Sequence, residues 1–339
     1  MKVAVTGASG NVGTALLRRL ATTRPDWAVT GVCRRPPGPG DLAYDRVRWV
    51  SLDLAEPAGE GPLAAALDGV DAVVHLAWLI QPGRDKGLLE RTNIVGSRRV
   101  LQAASAAGVG QVVCASSVGA YSPGPKGRGV DESWPTDGVP TSTYSRQKAA
   151  VERLLDAAAA RPDAPTVARI RPGLVFQHDA GSEVARYFLG PLVPHRLVGL
   201  RRTQVLPVPD AAVFQVVHAD DVADAIERIL DRGAGGAFNL AAEPVMTPRH
   251  LAEVFRAWRV RVPAGVVRAA AAATYAAHLQ PTEPGWVDLA LNAPVMSTER
   301  AAAELGWASR HDARQVVAQL LDGMRRGAGT RSPALAPDR

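Results

Sequence analysis

Short apolar runs rich in β-branched residues alternate along the first half of the chain with stretches whose apolar positions recur every three or four residues. That alternation is the pattern of repeated βαβ units and a parallel sheet. The runs predict strands at about residues 2–6, 28–33, 47–51, 71–76, 111–115 and 166–171, with helices near 11–21, 62–68, 86–107 and 144–160. DAVVHL, at 71–76, is almost wholly apolar, as a central strand covered by helices on both faces must be. After Arg171 the pattern loosens into a Pro- and Gly-punctuated stretch to about residue 210, read as an insertion, before FQVVHADDVADAIERIL returns to a strand and a helix. A mostly helical region follows from about residue 243, and RGAGTRSPALAPDR has the composition of a frayed end. The prediction is an α/β fold, a doubly wound parallel sheet with a smaller, mostly helical lobe.

The first strand runs directly into GASGNVG and then into an amphipathic helix. Gly7 permits a tight turn, Gly10 lets backbone N–H groups approach a pyrophosphate, and Gly13 lets helix and strand pack closely, with the helix N-terminus toward the anion. Ser9, Asn11 and Val12 complete this loop. It marks the sheet as Rossmann-type. About twenty residues on, the second strand ends in CRRPPG, where Arg34 and Arg35 present donors to the 2′-phosphate of NADP; an acidic residue there would instead suit NAD. NADP(H) is therefore expected, with NAD(H) as the alternative. Asp53, followed by Leu54, is placed either to meet the adenine or to cap a helix.

Tyr144 and Lys148 are spaced i, i+4 in YSRQK, which sets both on one helix face. An ammonium beside a phenol stabilises the phenolate and brings it toward acid–base range. The chain holds only four lysines among 39 basic residues, so a lysine kept here points to a need for a titratable ammonium. The fifth strand ends in SSVGAY, which delivers Ser116 and Ser117 to the carboxyl edge of the sheet, where open α/β folds bind ligands. ASSVG resembles the nucleophile elbow of hydrolases but lacks its leading glycine.

Composition narrows the partners. The net charge of +6 comes from arginines scattered along the chain, whereas nucleic-acid footprints are clustered. No nucleic-acid or membrane partner is expected. Cys33 and Cys114 fall in apolar strands and read as buried thiols of a reducing compartment. With no signal-like start and no long apolar span, the chain is expected to be cytoplasmic. His218 with Asp220 and Asp221 lacks metal-site spacing and reads as a helix start; no metal is expected.

TGASGNVG, HLAW, SSVGAY, YSRQK, RPGLVF and VVHADDVADA, in that order over roughly residues 1–245, resemble the extended short-chain dehydrogenase/reductases, the NAD-dependent epimerase/dehydratase family. The resemblance implies Ser117 and Tyr144 as catalytic groups and Lys148 as the holder of the nicotinamide ribose. It implies Asn93 as a support of the site, Leu76, Ala77 and Trp78 passing under the cofactor, and Pro172 and Gly173 turning near the nicotinamide. It also implies a homodimer through the helices near 86–107 and 144–160. Nucleotide-sugar enzymes of the family usually carry Asn at the position of Gly173 or Leu174 and a small residue at Trp78. The departures favour an oxidoreductase for a small, less polar carbonyl or alcohol, with Trp78, Ser117 and Trp134 lining the substrate pocket. An epimerase or dehydratase with retained NAD and a non-catalytic dinucleotide sensor are the alternatives. The expected division is a dinucleotide-binding domain over 1–175 and 211–242, a substrate-binding lobe over 176–210 and 243–325, and a flexible tail over 326–339.

Overall fold

In the computed structural model, which describes residues 1–40, 42–81, 83–188 and 204–337, seven strands form one parallel sheet. They are β1 (Lys2–Thr6), β2 (Ala28–Cys33), β3 (Val47–Ser51), β4 (Ala72–His75), β5 (Gln111–Ala115), β6 (Thr166–Pro172) and β7 (Gly236–Leu240), in the order β7-β6-β5-β4-β1-β2-β3. The six predicted strands are all present. β7 was not predicted from the sequence: GAFNL is short, follows two glycines and has no alternation to reveal it, yet it pairs with β6 from Gly236↔Ala168 to Leu240↔Pro172.

Each face of the sheet has its own core, which explains the unbroken apolar runs. On one, Leu16 and Leu20 of α1 (Asn11–Thr23) meet Ile226, Phe238 and Trp307; on the other, Leu63 and Leu67 meet Val100 of α2 (Gly96–Ala106) and Leu155 of α3 (Thr143–Ala159). The helix predicted over 86–107 is interrupted by a π-helical turn at Arg91–Val95.

Outside the sheet lie α4 (Gly181–Phe188), α5 (Ala219–Arg232), α6 (Gly285–Asn292) and α7 (Ala313–Arg326). The predicted return strand is Val216–His218, which pairs with Leu174–Phe176 rather than with the main sheet. The region after 243 is mostly helical, as expected, but contributes Ala257–Arg261 to a parallel pair with Gln204–Val208. Residues 189–203 of the predicted insertion, and 338–339 of the predicted tail, lie outside the described residues.

The described part of that tail is not frayed. Ser332 and Leu335 are fully buried, and Ser332 Oγ donates to the Ser9 carbonyl at 2.5 Å. A single leucine and a serine anchor a segment whose composition otherwise reads as solvated.

Candidate active site

Strand order reverses between β1 and β4, so the crevice at their carboxyl ends is the topological switch point of the sheet. The Gly loop fills it. Gly7 has φ +71°, and a Cβ there would sit 2.6 Å from Ala77 N; a Cβ on Gly13 would sit 2.4 Å from the Gly7 carbonyl oxygen. Both positions exclude side chains for steric reasons, and the N-terminus of α1 opens onto the crevice. Gly7, Ser9, Gly10, Arg34, Arg35, Asp53, Leu54, Leu76, Ala77 and Trp78 all line one continuous cleft. Arg34 and Arg35 are exposed, and neither is in an ion pair among the described residues.

Asn11, Val12, Gly13, Pro172 and Gly173 do not line it. Asn11 Nδ2 is spent on the Val175 carbonyl at 2.9 Å, Val12 packs against the core, and Gly173 presses on the Gln215 carbonyl, 2.5 Å from where its Cβ would be. Asp53 does both things considered for it: it lines the cleft, and its Oδ1 accepts from Ala55 N at 2.9 Å. Two buried polar atoms at the cleft, Trp78 Nε1 and Thr92 Oγ1, have no hydrogen-bond partner among the described residues. Buried donors without partners are costly. A dinucleotide, polar along its whole length, fits a cleft so built.

Ser117, Tyr144 and Lys148 converge beside Trp78. Ser117 leaves β5 and accepts from Gly119 N at 3.0 Å; Gly119 in turn must be glycine, since a Cβ would stand 2.8 Å from Tyr144 Cε1. α3 starts on the Ser142 cap and carries Tyr144 and Lys148 inward one turn apart. Burial pushes the Tyr144 phenol up to about 12, opposed by its hydrogen bond with Ser117. Lys148 Nζ lies 5.8 Å from the centre of the Tyr144 ring, donates to the Ala115 carbonyl at 2.8 Å and lies 3.4 Å from the centre of the Trp78 ring. Burial brings the Lys148 ammonium down to about 7, against Cys114 and Glu152, which raise it.

Behind these residues stand Asn93 and Ser116, both named from the sequence, and His75, Glu152, Arg169 and Arg171, which the sequence reading passed over. Asn93, fully buried in the π turn, accepts from Leu79 N and donates to the Leu79 carbonyl and to Gln147 Oε1, tying the segment after β4 to α3. His75 bridges Thr6 and Ser97 at 2.7 and 2.8 Å. Ser97 Oγ donates to the Asn93 carbonyl, so it accepts from His75 Nε2–H, and Nδ1 accepts from Thr6. Burial, with Lys148 adding to it, holds this imidazole neutral, at about 3. Ser116 donates to Glu152, which also receives Arg171 Nε and Nη2 and Arg169 Nη1, each at 2.9 Å. Burial alone would raise the Glu152 carboxyl, but Arg171, Ser116 and Arg169 bring it down to about 2. Glu152 lies at i+4 from Lys148, a spacing that could have flagged it.

Trp134 does not reach the site. It packs with Tyr121 and Met296, and its Nε1 donates to the Ser122 carbonyl. The aromatic wall is made instead by Trp78, 5.9 Å from Tyr144 between ring centres, and by Trp286 of α6, at 4.7 Å, with Phe188 packed edge-on against Trp286 at 5.2 Å. Leu79, Ile80, Leu89 and Pro281 close a small cavity with Tyr144 and Trp286. His218, stacked on His311 at 4.0 Å, caps α5 by accepting from Asp220 N, while His311 Nδ1 meets Asp221 at 3.0 Å. Donor atoms of His218, Asp220 and His311 lie within 4.8 Å of one another.

A glycine loop at the switch point and a buried Tyr-Lys pair beside it define a dinucleotide-dependent enzyme of the short-chain dehydrogenase/reductase kind. The chain belongs to the NAD dependent epimerase/dehydratase family, whose match runs over residues 3–241. The 2′-dehydrokanamycin reductase of Streptomyces kanamyceticus is 31% identical over 255 residues, 75% of this chain and 65% of its own length. Uncharacterized proteins of Mycobacterium tuberculosis and Mycobacterium bovis are 26% identical over 257 residues, 74% of this chain; that stretch spans only 23% of their length. Among solved structures, the Thermus thermophilus UDP-glucose 4-epimerase in complex with NAD has a TM-score of 0.70 at 22% identity, covering 96% of this chain and 99% of its own. The dTDP-glucose 4,6-dehydratase of Streptomyces venezuelae, also with NAD bound, has 0.69 at 23%, covering 96% and 97%. At these identities the structures speak for the fold.

Proposed function

We propose that this chain is an NAD(P)-dependent oxidoreductase acting on a small, largely apolar carbonyl or alcohol. The observation that carries the reading is the setting of Tyr144: in reach of Ser117, one turn from Lys148 and enclosed by Trp78 and Trp286. A nicotinamide dinucleotide in the cleft would supply or accept the hydride. The chain does the rest. In reduction, the substrate carbon gains the hydride, the carbon–oxygen π bond breaks, and the oxygen takes the Tyr144 proton. Ser117 donates a hydrogen bond to that oxygen as charge develops on it. Lys148 would hold the adjacent ribose, and the aromatic wall excludes water. Exposed Arg34 and Arg35 favour NADP. The 31% identity to a reductase supports the same direction.

Retention of NAD by an epimerase or dehydratase is the second reading, favoured by the fold shared with the UDP-glucose epimerase. The outer faces of α2 and α3 flank a shallow groove containing Leu101, Leu154 and Ala158, which supports dimerisation there. Among the described residues no helix is long and apolar enough to cross a membrane; a cytoplasmic location is part of the proposal.

Purified protein is to be titrated with NADPH and NADH and then assayed for NADPH oxidation with cyclic and aromatic ketones. Tyr144→Phe should abolish turnover and leave cofactor affinity nearly unchanged. A tightly retained NAD, with thermal protection by UDP-glucose and none by ketones, would transfer the assignment to the second reading.

A further inference from the structure

The cleft has walls that the glycine loop and the arginines do not supply. Glu183 and Tyr187 of α4, together with Ala334, share it with Ser9, Arg34 and Arg35. α4 is held firmly there. A Cβ on Gly181 would lie 2.3 Å from the Gly323 carbonyl carbon of α7, Ser182 N donates to the Ala328 carbonyl, and Arg186 donates to the carbonyls of Ala334 and Ala336. Tyr187, one turn on, donates its hydroxyl to Glu183 Oε1 at 3.2 Å. Arg34 stands close enough to act on the Tyr187 phenol.

The half-buried Glu183 carboxyl thus sits in a cleft shaped for an anion. Burial pushes it up to about 7, opposed by Tyr187 and by Arg186 on its own helix. Among the described residues, Arg34, Arg35 and Asp53 are the charged groups that line the cleft with it, and the segment after α7 offers it only Ala334. Among the described residues no ion pair neutralises it.

We propose that Glu183 is a cofactor-discriminating residue: ionised, its carboxylate opposes the extra phosphate of NADP; protonated, it leaves Arg34 and Arg35 to hold that phosphate, so the preference between the two dinucleotides follows pH. The inference rests on the reading of this cleft as the dinucleotide site. Like charges in a cleft walled by protein are screened less than in water, which gives the carboxylate its leverage. Tyr187 sets the window by stabilising the ionised form.

The test is fluorescence titration of the whole protein with NADPH and NADH at about pH 6 and about pH 8.5, for wild type, Glu183→Gln and Tyr187→Phe. In the wild type the affinity ratio favouring NADPH should fall about tenfold across that range, a change of about 1.4 kcal/mol. Glu183→Gln should hold the ratio nearly constant, and Tyr187→Phe should move the fall to higher pH. The titration of the 2′-phosphate itself is common to all three proteins and cancels between them. Identical pH responses in wild type and Glu183→Gln overturn this inference alone. Failure of both dinucleotides to bind wild type overturns the reading of the cleft, and this inference with it.

Discussion

Lys148 is a buried amine whose nearest carboxylate, Glu152, is already engaged by two arginines. Its ammonium is lowered from 10.5 to about 7, so between those values the unfolded chain binds a proton that the folded one does not. Stability from this group therefore rises with pH from about 7 to about 10.5. Lys148→Met removes the buried charge and should raise Tm at neutral pH while cutting turnover and cofactor affinity. Calorimetry should find that gain shrinking toward pH 10.5, where the wild-type amine is neutral in both states. A gain independent of pH would show that packing, not charge, is responsible. The spacing of Tyr144 and Lys148 was legible in the sequence because one helix carries both. Trp286 was not: it is 142 positions beyond Tyr144 and belongs to no motif, and only the docking of α6 brings it to the ring. Trp134 misled for the opposite reason, since nearness along the chain did not survive the turn toward Tyr121.

At the scale of elements, α3 is fastened to β6 through Glu152, Arg169 and Arg171. The Glu152 carboxyl is depressed from 4.5 to about 2, so its contribution is complete above about 4.5 and is lost as pH falls toward 2. Glu152→Gln should cost about 3–5 kcal/mol at neutral pH, because buried Arg171 loses its charge partner and buried Arg169 keeps only the exposed Asp156. The cost should fade in acid, as read from urea midpoints. The junction of β1 and α1 makes a second case. Gly13→Ala should separate helix from loop and weaken dinucleotide binding in titration, since the new methyl would meet the Gly7 carbonyl. Here the sequence was fully informative, for the steric demand and the motif are the same fact. β7 shows the limit: GAFNL has none of the β-branched residues that marked the other strands, β3 of the same length and also at an edge included.

At the scale of the molecule, the dimer proposed on α2 and α3 predicts that Leu154→Glu, at the groove between them, yields monomers in light scattering without unfolding. An unchanged mass would move the interface elsewhere. Composition described the segment around Ser332 poorly, since that serine is held by Ser9, over three hundred residues away. The contact between Ser332 and Ser9 spans 323 positions. During synthesis at about 5–20 residues per second, the nucleotide loop therefore waits on the order of tens of seconds for the segment that braces it. The sheet can assemble while the chain is still being made, but the cleft acquires its Ala334 wall only after that residue has cleared the ribosome.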